Sequence, residues 1–252
     1  MIAIIGAMEE EIALIVESLS EVTTRDLGGR RFHLGTFHGI ETIAVFSRWG
    51  KVAAAATVTQ LLAAFQVTRV IFSGVAGSIA GDLAIGDVVV ASGLIQHDLD
   101  ASPIFPRYQI PLLGKSILPA DAKLGEGLFN AVQHFLSADL RSAVAARELD
   151  FFAIRTPKVT TGLVASGDKF FSSATEVREL HARLPAVLCV EMEGAAVAQV
   201  CTEYGVPFGV VRTISDNADE NSPHDFQRFL REIARHYSAG ILARLLQGFE
   251  LP

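Results

Sequence analysis

The stretch VLCVEMEGAAVAQVCTEYGVPFGVVRTISDNAD, residues 187–219, marks the chain as an α/β protein. It opens with a short apolar run (187–190) and two carboxylates, Glu191 and Glu193, on either side of Met192. An Ala/Val-rich segment follows and stops at Gly205. A second apolar run covers 207–214, with Ser215, Asp216 and Asp219 behind it. Strand, helix and strand in that order, with acids just after each strand, is the pattern of an α/β sheet. Ligands of such sheets sit at the carboxyl ends of the strands, so both acidic clusters fall where chemistry is expected.

The same alternation recurs on either side. Residues 2–6 read as a buried strand and 8–19 as a helix with Ile12, Ile15, Val16 and Leu19 on one face. Glu9, Glu10 and Glu11 in its first turn suit the positive end of the helix dipole. Residues 31–38 and 41–47 predict a hairpin, 51–65 an Ala-rich helix, and 69–72 another buried strand. Gly74, Gly77 and Gly81 then read as a tight turn or as backbone approaching a ligand. A strand over 87–96, an amphipathic helix over 124–136 and a strand over 158–165 follow. The last leads into Ser166-Gly167-Asp168 and the pair Phe170-Phe171, which suits a core or a stacking platform for a planar ring. After a short helix at 177–184 and the opening stretch, a C-terminal helix starts near Pro223. Phe226, Phe229, Leu230, Ile233, Tyr237, Ile241, Leu242 and Leu245 make one apolar face, expected to pack the sheet and do no chemistry. Without repeats or a linker, residues 1–252 predict one three-layer α/β domain, a central mixed, twisted sheet flanked by helices. Two segments stand apart: a proline-rich loop at 102–120, with apolar tips suited to a subunit contact or a lid, and an insertion-like segment at 139–157.

Half of the 252 residues are apolar and 19% are charged, enough for a large core. A net charge of −7 and the lack of a basic run argue against nucleic acid as a partner. No membrane span is credible, and the N-terminus reads as a first strand rather than a signal peptide. Cys189 and Cys201 read as small buried hydrophobes of a reducing compartment, so a cytoplasmic protein is expected. Gly74, Gly77 and Gly81 do not match the dinucleotide fingerprint, and Gly114-Lys115-Ser116 lacks the glycine a phosphate loop needs, since position 109 is Gln. His97-Asp98-Leu99-Asp100 lacks a second ligand cluster and is expected to be a solvated loop, so no metal and no cofactor are implied.

Six segments in order resemble the 5′-methylthioadenosine/S-adenosylhomocysteine nucleosidases of the purine nucleoside phosphorylase superfamily. They are GAMEEEI (6–12), GKVAAA (50–55), the glycine loop 74–77, VASGDKF (164–170), VEMEGAA (190–196) and VVRTISDNAD (210–219). The resemblance implies a nucleoside phosphorylase-like fold and irreversible hydrolysis of the bond between adenine and a 5′-thio-substituted ribose. Adenine leaves poorly as an anion, so an acid must protonate it at N7, and a base must activate water on the sugar side. The resemblance gives the first role to Asp216, supported by Ser215, and the second to Glu11, oriented by Arg212. Met192 and Glu193 match the positions at the ribose hydroxyls. Phe170 would stack on adenine and the Phe171 backbone would read its edge, while Met8, Trp49 and Val75 would line the site. Glu191 and Asp219 take supporting roles. Ile104, Phe105 and Pro111 would close the 5′-thio pocket of a neighbouring subunit, which implies a homodimer.

Three departures from the family pattern stand out. Val75 occupies a place usually held by Ser, Arg48-Trp49 replaces a small-plus-aliphatic pair beside the sugar, and 139–157 is longer than compact members need. The alternatives are a phosphate-dependent phosphorylase, a hydrolase of another purine nucleoside such as futalosine, and an impaired nucleoside-binding module. Phosphorylases place an arginine just before the glycine loop, where Phe72-Ser73 stand here, which leaves Arg30 and Arg48 as candidate anion ligands. Val75 motivates the binding module; Glu11, Glu193 and Asp216 argue against it, because a binder needs no paired acid and base.

Overall fold

The structure, a computed structural model, describes residues 1–216 and 222–248. In chain order the first half contains β1 (Ile2–Gly6), α1 (Glu9–Glu17), β2 (Ser20–Leu27), β3 (Arg30–Phe37), β4 (Ile40–Phe46), α2 (Lys51–Ala64), β5 (Arg69–Ser78) and β6 (Val88–Gln96). Then come β7 (Ile117–Pro119), α3 (Ala122–His134), α4 (Leu140–Ala143), α5 (Ala146–Phe151) and β8 (Val159–Ser166). The last third holds α6 (Ala174–Arg183), β9 (Val187–Glu191), α7 (Gly194–Tyr204), β10 (Phe208–Asp216), α8 (Ser222–Phe229) and α9 (Arg235–Gln247).

All described strands join one mixed sheet in the order β10-β6-β8-β9-β5-β1-β4-β3-β2, with β7 on β6. A further β10–β5 pairing closes five strands into a ring from which β1, β4, β3 and β2 extend. β1 and β10 are buried along their whole length, on both faces. That is why each reads as an unbroken apolar run rather than an alternating one. α2 packs on α7, and α1 and α3 both pack on α9, giving the helical layers on either side of the sheet.

Several expectations need correction. β5 does not stop at Phe72: it runs to Ser78, pairing with β10 on one side and β9 on the other, so Gly74 and Gly77 lie in a strand and not a loop. β2 went unread because it is an exposed edge strand paired only to β3, and an edge without a core face shows no apolar alternation. The insertion-like 139–157 forms α4 and α5 and buries Leu140, Val144, Leu149, Phe152 and Ile154. The C-terminal helix is broken by a π-helical turn at Leu230–Ala234, and Phe226 leaves the core face. His97 is not solvated: it is 6% exposed and meets the Phe171 ring edge-on at 5.4 Å, while Asp98 pairs with Lys51 at 2.6 Å. Cys189 and Cys201 are both buried and unpaired, as read from the sequence. Among the described residues no helix is long and apolar enough to cross a membrane, and Asp219 lies outside them.

Candidate active site

A solvent-open cleft lies over the carboxyl ends of β1, β5, β9 and β10. The β1–α1 join gives Met8 and Glu11, β5 gives Gly74 to Gly77, the β9–α7 join gives Val190 to Glu193, and β10 gives Arg212, Ser215 and Asp216. Trp49, Phe170 and Phe226 stand at the rim.

Of the three acids opening α1 only Glu11 turns inward, to 2% exposure. Its carboxylate accepts from the backbone N–H of Ala7 (2.6 Å), Met8 (3.0 Å) and Val75 (3.1 Å). The first two belong to the turn that starts the helix, where backbone donors have no intrahelical partner. Burial raises the pKa of Glu11, against the opposing pull of the Arg212 charge and of those three N–H groups. The glutamates that fit a helix dipole therefore include a buried carboxylate. Gly74 is what leaves room for it, since a Cβ there would stand 2.6 Å from Glu11 Oε1. Gly74→Ala is expected to push the carboxylate aside and cut kcat/KM about 100-fold, the cost of a misplacement near 1 Å; steady-state rates at saturating and limiting substrate check this.

Arg212 is buried and its hydrogen bonds go elsewhere than to Glu11. Nη2 donates to Glu191 Oε2 at 2.9 Å, and Nη1 to the carbonyls of Phe72 (3.1 Å) and Val211 (3.0 Å). The guanidinium also lies 4.1 Å from the Phe72 ring centre. Its influence on Glu11 is through charge. Glu191 holds the centre of this arrangement: besides Arg212 it accepts from Ser166 Oγ, from Glu193 N (3.1 Å) and from Gly194 N (2.8 Å). It thus caps α7 and pairs the buried arginine at once. Removing one member of such a buried pair is destabilising by about 3–5 kcal/mol.

Glu193 accepts from the Gly50 N–H at 2.6 Å. Burial, and then the negative charge of Glu191, push its pKa up to about 8. The unfolded chain ionises near 4.5 and the empty folded protein near 8, so the folded state binds the proton more tightly and stability falls as pH rises across that window. Glu193→Gln is expected to flatten this decline and to melt above the wild type at pH 8, while losing turnover; thermal melts at pH 5 and pH 8 read the difference.

Asp216 ends β10 and accepts from Ser215 Oγ at 2.7 Å. The β10–β5 register slips between Ile214 and Asp216, a bulge beside the acid, which lines the cleft. Glu11, Arg212, Asp216, Met192, Glu193, Phe170, Ser215, Val75, Met8 and Trp49 are therefore brought together. Phe171 is buried beside His97 and gives the cleft no side chain, and Ile104, Phe105 and Pro111 do not line it. Arg48 donates to the Gly29 carbonyl, and Arg30 to Thr57 Oγ1 and the Gly28 carbonyl, both away from the cleft. Among the described lining residues Arg212 is the one Lys or Arg, and it is committed to Glu191. Among the described residues no group of three or more His, Cys, Asp or Glu could hold a metal ion. Phe226 was missed because its spacing matches the core face of the C-terminal helix.

The family model of the phosphorylase superfamily matches residues 1–247. A 5′-methylthioadenosine/S-adenosylhomocysteine nucleosidase of Chromohalobacter salexigens is 37% identical over 236 residues, covering 93% of this chain and 92% of that protein. An aminodeoxyfutalosine nucleosidase of Helicobacter pylori is 39% identical over 248 residues, covering 97% of each. Among solved structures, the 5′-methylthioadenosine/S-adenosylhomocysteine nucleosidase of Neisseria meningitidis in complex with methylthio-immucillin-A superimposes with a TM-score of 0.86. It is 30% identical, over 98% of this chain and 99% of that one. With the fold, the cleft and the whole length of the chain matched, this protein belongs to the 5′-methylthioadenosine/S-adenosylhomocysteine nucleosidase family of the phosphorylase superfamily.

Proposed function

We propose that this chain hydrolyses the N-glycosidic bond of 5′-methylthioadenosine and S-adenosylhomocysteine, releasing adenine and the 5-thio-substituted ribose. The observation that carries this reading is a buried base, Glu11, and a hydroxyl-supported acid, Asp216, on the walls of one cleft that holds no uncommitted cation for phosphate among its described residues.

Water loses a proton to Glu11 and its oxygen bonds to C1′. The C1′–N9 bond breaks toward adenine, and Asp216 delivers a proton to N7, so the base departs neutral. Between these events the sugar is oxocarbenium-like. Glu193 accepts from the ribose hydroxyls, and the developing cation favours its ionised form against the repulsion of Glu191. The contact thus strengthens in the transition state, where it lowers the barrier. Phe170 offers a face to the purine. Val75 contributes its backbone N–H to Glu11 instead of a hydroxyl to the water, so the base is held through main chain.

Two copies of the chain pair, with the proline-rich loop reaching the neighbouring cleft; Ile104 at 82% and Leu112 at 95% exposure support a partner there. Residues 1–252 act as a single domain, and buried free thiols fit a cytoplasmic location. Incubation of purified protein with methylthioadenosine should release adenine. No release from any 5′-substituted adenine nucleoside would leave a binding module as the better reading.

A further inference from the structure

Glu148 of α5 is buried at 4% exposure, although it belongs to the insertion-like segment and lies outside the cleft. A buried carboxylate needs partners, and its two oxygens are divided between two arginines. Oε1 accepts from Arg147 Nε at 3.1 Å, and Oε2 from Arg228 Nε at 2.8 Å. Arg147 sits on α5 itself and ties it to nothing, whereas Arg228 belongs to α8. The Arg228 guanidinium also lies over the Phe151 ring, 3.6 Å from its centre. Beside it Phe152 meets Phe229 of α8 at 5.2 Å and 88°. The gripping element is itself fixed, since Leu149, Phe152 and Ile154 are buried.

The same short helix, α8, brings Phe226 into the cleft. Residues two apart on a helix point about 200° apart, so Arg228 is held on the side away from Phe226. Phe226 meets Phe170, the ring offered to the purine, at 5.7 Å and 75°. It also stands perpendicular to Trp49 at 6.3 Å. The seat of α8 therefore decides where Phe226 stands against Phe170.

We propose that Glu148 and Arg228 are a positioning pair for the cleft. Through them the inserted α5 grips α8 from behind and sets Phe226 against Phe170. Neither residue reaches the reacting atoms, so the pair acts on substrate affinity and leaves the chemical step alone. The inference rests on the nucleosidase reading and deepens it, giving a task to the segment in which this chain departs from the compact family pattern. A charge-assisted bond to a buried acid, with a ring stacked on the same guanidinium, is directional enough to fix a helix.

The test measures kcat and KM for methylthioadenosine, and the indole emission of the empty protein, in wild type, Arg228→Met, Glu148→Gln and Arg147→Ala. Trp49 is the sole tryptophan and stands against Phe226, so its emission reports the ring without any turnover. In Arg228→Met and Glu148→Gln, KM is expected to rise about tenfold with kcat within about twofold of wild type. The emission should shift to the red as Phe226 withdraws from the indole. Arg147→Ala, which leaves the Arg228 bond in place, should match wild type in both readouts. A normal emission in Arg228→Met would overturn the proposal, as would a fall in kcat at unchanged KM. If Arg228→Met does not fold, Phe151→Leu decides at a half-exposed ring: the emission must move the same way, and no shift would refute the grip. Should the wild type release no adenine, the nucleosidase reading fails, and the emission of the variants still decides whether the pair places Phe226.

Discussion

Asp216→Asn is expected to lower kcat by about 10³–10⁴-fold, at the upper end of what a general acid contributes. The side chains are nearly isosteric, and the amide oxygen can still accept from Ser215 Oγ, which now stands 2.7 Å from the carboxylate. The bulge beside the residue belongs to the backbone of β10 and is untouched. What the amide cannot do is surrender a proton to N7, so adenine must leave as an anion. Ligand affinity should survive, since Phe170, Met192 and Glu193 are intact. Adenine release beside a binding titration separates the two quantities, and a kcat within tenfold of wild type would mean another group supplies the proton.

Glu11→Gln should lose turnover on the same scale for the opposite reason. Gln fills the space between β5 and α1 but cannot take a proton from water. One amide oxygen also cannot serve all three N–H donors of Ala7, Met8 and Val75. Because burial raises the pKa of Glu11, the acid limb of kcat/KM in the wild type should lie above the ordinary carboxylate range. As pH falls through that value the base is protonated and the rate drops. Stability of the empty protein moves the other way, rising as the buried carboxylate gains its proton. A wild-type acid limb at the ordinary carboxylate value, or a Glu11→Gln protein with near-normal kcat, would remove Glu11 from the role of base.

The parts of the fold legible in the sequence are those whose environment is uniform. β1 and β10 are buried on both faces and show as unbroken apolar runs that end at the acids of the site. The illegible parts obey two demands at once. Phe226 keeps the helical spacing of a core residue yet serves the cleft, because a π turn re-registers the helix behind it. Gly74 and Gly77 look like turn residues, but they are strand positions kept small; at Gly74 the reason is the carboxylate of Glu11. Glu191 resembles its neighbour Glu193 in sequence and both line the cleft, but only the structure shows that Glu191 is the counter-ion of the buried Arg212. Family resemblance pointed to the proposed acid and base; the structure adds that burial raises the pKa of Glu11 against the pull of its three backbone donors.

Hydrolysis rather than phosphorolysis is the central claim, and it rests on a cleft whose one described guanidinium is tied to Glu191. Mass analysis of the sugar product, from methylthioadenosine turned over with and without inorganic phosphate, tests it most directly. The free 5-methylthioribose should form at the same rate in both, with no phosphorylated sugar. A requirement for phosphate, with the 1-phosphate ester as product, would contradict it.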